Sequence, residues 1–203
     1  MPDLGFPSQP SQFSRALREC RDLYVSSGHF CAQECPHLLA KSGDEFIQLM
    51  DDLHRALVLK VYCTISEADR KWSKEERFLA EVLFHHLWDQ WLAGDQLKAT
   101  AKRASEQSVK LKWYSLVRPF DRLAPLRDRI GELETLVMRM ANLVARADGR
   151  LHPKEAATIQ SIQQELHQHL REIPIDEADQ HEEADRQGSQ AIETLRREAA
   201  AIY

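Results

Sequence analysis

Apolar residues recur at steps of three and four along most of this chain. Between residues 44 and about 68, Phe46, Leu49, Leu53, Leu57, Val61 and Ile65 fall on one face of a helix. A second helix is predicted from residue 73 to about 93. Phe78, Leu79, Val82, Leu83 and Leu87 form its apolar side, and Gly94 is its stop. Ser73 followed by Glu76 has the spacing of a capping box, in which each residue satisfies the other's backbone N–H. A third long pattern, from about 126 to 147, carries Leu133, Leu136, Val137, Met140, Leu143 and Val144. Gly149 ends it, and Pro153 suits the first position of a further helix reaching about 173.

Weaker patterns fill the rest. Ser11 is placed to cap a short helix to about residue 26, followed by an irregular patch to 43. Residues 95–112 read as a basic helix, 113–125 as a proline-interrupted connection, and 191–202 as a weak last helix. No run alternates between turn signals as a strand would. The expected fold is therefore all-α, a bundle of about six to eight helices.

Two segments match at a constant offset of 79 residues. Ala68-Asp69 meets Ala147-Asp148, and Glu76 meets Glu155. Leu57, Val58, Val61 and Ile65 meet Leu136, Val137, Met140 and Val144 without a gap. The pattern predicts two pseudo-symmetric helix-loop-helix hairpins covering each other's apolar stripes.

The motif at these junctions is Ala-Asp, an apolar residue three positions after the Asp, and Glu four positions later. It resembles the TerB-like tellurite-resistance domain. Ala147-Asp148-Gly149-Arg150-Leu151 with Glu155 is the closer copy; the first copy has Arg70 where the glycine would stand. The resemblance covers roughly residues 44–170. It divides the chain into an N-terminal extension (1–43) with one helix and a Cys/His patch, a TerB-like domain (44–173) and an acidic tail (174–203). It implies a non-enzymatic helical module in a tellurite or chemical-stress response, standing alone or as an accessory of a larger system. It also implies a cation site.

The residues themselves leave two readings of the acidic loops. Asp69 with Glu76, and Asp148 with Glu155, can bring carboxylates together for a hard cation, calcium before zinc. The same residues can simply cap: a glutamate in the first helical turn accepts backbone N–H groups and sits well in the helix dipole. The Asp ladder of an EF-hand is missing.

A second constellation is His29, Cys31, Cys35 and His37, four zinc-competent side chains in nine residues. Its spacing differs from the usual C-x2-C pairs, so two buried thiols and two surface histidines are the competing reading.

Charge changes the picture locally. The net charge is −5, and residues 174–203 account for all of it, whereas residues 98–129 carry a net +6. The overall sign argues against bulk nucleic-acid binding. The basic stretch supports an alternative function, a helical adaptor gripping an anionic partner or nucleic acid. Lys98, Lys102, Arg103, Lys110, Lys112 and Arg118 would hold it, with Trp113, Tyr114 and Phe120 near for stacking.

Composition excludes other classes. Seven glycines and eight prolines in 203 residues are too few for a turn-rich β fold. The longest apolar run, residues 56–66, is cut by Lys60, so no membrane span is expected, and membrane association would pass through a partner. Without an export signal the four cysteines are expected as reduced thiols in a cytoplasm. No nucleophile elbow, phosphate-binding glycine loop or HExxH motif occurs, so binding, with a protein partner, is expected rather than catalysis.

Overall fold

The computed structural model describes residues 8–69 and 71–171. Within them the chain is all-helical: seven α-helices, two 3-10 turns and no strand. The leader, Arg70 and the acidic tail with its weak last helix lie outside the described residues.

The first helix, α1 (Gln9–Glu34), starts with Pro10 in its opening turn and buries Phe13, Leu17, Cys20, Leu23, Tyr24 and Cys31 along one face. It runs well beyond the expected end near Ser26, because Ser27, Gly28 and Cys31 continue that face against the core. Gly28 allows a close crossing: a Cβ there would lie 3.3 Å from the Ile47 backbone and the Met50 side chain. After the 3-10 turn Pro36–Leu38, Ser42 and Glu45 form a complete capping box for α2 (Gly43–Ser66). Helix α2 is buried on most of its circumference and touches all six other helices, which makes it the axis of the bundle.

Helix α3 (Lys74–Trp88) begins at the expected Ser73–Glu76 capping box. It ends at Asp89 in the left-handed region (φ 58°), several residues before Gly94, since aspartate tolerates that conformation. Gly94 instead opens α4 (Gly94–Ser108).

The expected connection at 113–125 is in fact α5 (Trp113–Arg122), followed by the 3-10 turn Ala124–Arg129. Pro119 lies inside α5 and supplies no N–H to the Ser115 carbonyl. Burial of Leu116, Val117 and Phe120 holds the helix together despite that lost bond. Helix α6 (Ile130–Ala145) packs against α1 and α2, and α7 (Pro153–Arg171) against α5 and α6. One hydrophobic core unites all seven helices, α1 included.

Candidate functional site

The two acidic loops are built alike. In the first, the Asp69 carboxylate accepts the Lys71 N–H at 2.9 Å and the Glu76 carboxylate accepts the Ser73 N–H at 2.8 Å. In the second, Asp148 accepts the Arg150 N–H at 2.9 Å and Glu155 accepts the His152 N–H at 2.8 Å. The backbone bonds that close the preceding helices recur at the same offset: Ala68 N–H to Ile65 O and Ala147 N–H to Val144 O, both 3.0 Å.

The anchoring differs. Trp72 Nε1 donates to Tyr62 Oη at 3.0 Å, and Tyr62 Oη donates to the Glu76 carbonyl at 2.8 Å. The Arg77 guanidinium donates to the Trp72 carbonyl and lies 5.7 Å from the Trp72 ring centre. In the second loop the place of Trp72 is taken by Leu151, which is exposed, and Gly149 takes up a positive φ of 83° that glycine alone adopts without strain.

The loops meet at one end of the bundle. Glu76 and Glu155 are both buried, and burial is the first cause that raises their carboxyls above the usual range. Like charge adds to it across the loops. Glu76 feels Asp69 and Glu155, while Glu155 feels Asp69 and Asp148. The capping N–H bonds oppose the rise. Even so, among the described residues no group of three or more His, Cys, Asp or Glu side chains is gathered tightly enough to enclose a metal ion.

Cap and charge can be separated at Glu155. Glu155→Gln keeps an oxygen for the His152 N–H and removes the repulsion, so stability in urea should be unchanged or rise by a few tenths of a kcal/mol. Glu155→Ala removes the cap and should cost about 1 kcal/mol. Equal losses in both would mean that the charge itself is needed.

The Cys/His patch does not come together. His29 and Cys31 are two positions apart on α1, hence on opposite faces, and Cys31 is buried while His29 and His37 are exposed. Cys35 ends the helix, its N–H bonded to the Cys31 carbonyl at 3.0 Å. All four cysteines are free, and burial pushes the Cys20 and Cys63 thiols up to about 12, which makes them poor nucleophiles.

The six basic residues divide. Lys98, Lys102 and Arg103 are exposed on α4, and Lys110 follows it in the turn. Lys112 and Arg118 instead belong to a cleft between α5, the start of α2 and the segment before it. Lys41 and Arg122 complete this basic set. Neither stands out in the sequence, because the four cations are contiguous only in space. Along α2, this cleft and the acidic end are separated by roughly 25 Å, at 1.5 Å per residue.

One further constellation was not visible in the sequence. His54 is buried in α2, with Nε2 3.3 Å from His86 Nε2 and Nδ1 3.4 Å from Asp51 Oδ1. Arg55 donates to Asp51 at 3.0 Å and to the Leu87 carbonyl. The network ties α2 to α3, and burial, before the charges around it, pushes His86 down to about 3.

No protein-family model, curated protein or solved structure matches the chain.

Proposed function

We propose that the chain is a non-enzymatic TerB-like module of a cytoplasmic stress response of the tellurite or chemical type, acting as a cation-responsive scaffold for a protein partner. Two pseudo-symmetric hairpins, residues 53–88 and 132–167, would present their acidic loops at one end. The observation that carries this reading is the like charge that Asp69 and Glu155 place on Glu76, and Asp69 and Asp148 on Glu155, in two loops with the same hydrogen bonds. One oxygen of each carboxylate accepts a backbone N–H, and a divalent cation such as calcium would offset the repulsion among them. Four carboxylates without a tight cage suit weak binding, of the order of 10⁻⁴–10⁻³ M. Binding rather than catalysis is further supported by the buried Cys20 and Cys63 thiols and the half-buried, neutral His86.

Calcium at ten times its dissociation constant should stabilise the fold by about 1.4 kcal/mol. The melting temperature should then rise by roughly 3–6 °C. Asp148→Asn should remove most of that rise. An unchanged melting temperature in about 10 mM calcium, ten times the weakest constant expected, would reject the cation response and leave the loops as helix caps.

A further inference from the structure

We propose that the cleft between α5 and the start of α2 binds the anion of a single-chain fatty acid. The cleft has a volume of about 410 Å³, within the range of roughly 300–1,000 Å³ typical of small-molecule sites. Its walls are apolar: Phe46, Leu49 and Leu53 from α2 face Leu116, Pro119 and Leu123 from the α5 side. Lys41, Lys112, Arg118 and Arg122 also line it, Arg118 with an interaction of its own, and no acid among the described residues does. Asp121 approaches Arg122 at 4.0 Å and Glu45 feels Lys41, but both carboxylates lie outside the lining.

Two observations place an anionic head here. Ser115 lines the cleft, is 7% exposed, and its hydroxyl has no hydrogen-bond partner among the described residues. A buried hydroxyl without a partner is costly, and rotation about its χ1 toward the cleft would let it donate to a ligand oxygen. Ser115 also sits in the first turn of α5, whose N-cap, Lys112, makes no side-chain cap bond. The N–H groups of that turn and the helix dipole favour negative charge beside Lys112.

An apolar body with one anionic end matches this arrangement. A nucleotide or sugar would need several buried polar partners, whereas the lining is chiefly aliphatic. This inference does not rest on the acidic-end reading above, since it concerns the opposite half of α2.

The test is calorimetric titration of the full chain with octanoate, decanoate and dodecanoate, kept monomeric, alongside melting curves. One molecule should bind per chain, with affinity rising about three- to four-fold per added methylene. Dodecanol should bind at least about tenfold more weakly than dodecanoate, for want of the charge. Leu49→Trp, which fills the cleft, should abolish binding. Lys112→Glu, on the exposed rim, should weaken it about tenfold with unchanged melting in the absence of ligand. If Leu49→Trp fails to fold, the chain-length series and Lys112→Glu still decide. Three results would overturn the proposal: no heat and no melting shift with any of the three acids; an affinity flat with chain length; or binding indifferent to Lys112→Glu. Capture of the protein by phosphatidylglycerol vesicles or by an acidic amphipathic peptide, with no binding of the free acids, would equally overturn it.

Discussion

A fragment beginning at residue 44 is expected to lose cooperative unfolding, although it holds every residue of the two repeated loops. Helix α1 buries Phe13, Leu17, Leu23 and Tyr24 to within 1% exposure. At about 1.5–3 kcal/mol for each large side chain, these four contribute roughly 6–12 kcal/mol. The whole stability of a domain is about 5–15 kcal/mol. Removing α1 also strips the facing sides of α2, α3 and α6. The comparison is by urea denaturation followed by helical circular dichroism, with the full chain as reference. A fragment that melts in one sharp transition near the full chain's midpoint would show that α1 is an accessory.

A graded version keeps the chain whole. The Tyr24 ring meets Phe120 edge-on at 4.9 Å between centres, and its hydroxyl donates to the Leu116 carbonyl at 2.8 Å. Tyr24→Ala should cost about 3–5 kcal/mol through the cavity it leaves. Tyr24→Phe should cost only about 1 kcal/mol, for the hydrogen bond.

Acid should destabilise the protein well above the range in which carboxylates titrate, with His86 as the main cause. Burial holds its imidazole neutral in the fold down to about 3, while the unfolded chain protonates it near 6.5. Lowered folded affinity for protons means that the unfolded state takes up the extra proton. Stability is therefore full above about pH 6.5 and falls as the pH drops toward 3. The whole window corresponds to about 3–5 kcal/mol, and the step from pH 6.5 to 5 to about 2 kcal/mol.

The groups around His86 do not reverse this. His54, Arg21 and Arg55 disfavour its protonation, and Asp51 favours it less strongly. Asp51 itself is held low, first by its hydrogen bond to His54, so its contribution is lost only below its unfolded value of about 3.8. Glu76 and Glu155 act with the opposite sign: their raised carboxyls take up protons in the fold first, which relieves repulsion as the pH falls toward 4.5. His86→Gln keeps a polar partner for His54 without a titrating ring. It should flatten the stability profile between pH 6.5 and 5, read as urea midpoints at constant ionic strength. A variant with the wild-type slope would assign the acid response to another group.

What the sequence determined alone is local in the chain. The stripes at steps of three and four located most helices, because a helix face is set by residues within a few turns. The Ser73–Glu76 cap was readable for the same reason: its hydrogen bonds span three residues. Local rules also misled where packing outweighed them. Pro119 marks a break by propensity, yet burial of Leu116 and Phe120 keeps α5 helical. His29 and Cys31 are neighbours in sequence, and the helix turns them to opposite faces.

Only the tertiary structure decided what meets across long separations. Asp69 and Glu155 share one end because of how the helices pack, and no spacing in the chain encodes that. The His54–His86 contact joins α2 to α3 through two residues 32 positions apart in the chain. The cleft likewise needs Lys41 and Phe46 from one segment and Lys112 and Ser115 from another. Periodicity specifies which face of a helix is buried, but the partner of that face depends on how seven such faces fill one core together. Charge repulsion, the depressed imidazole and the unpartnered hydroxyl of Ser115 all arise at that step, where groups distant in the chain are desolvated side by side.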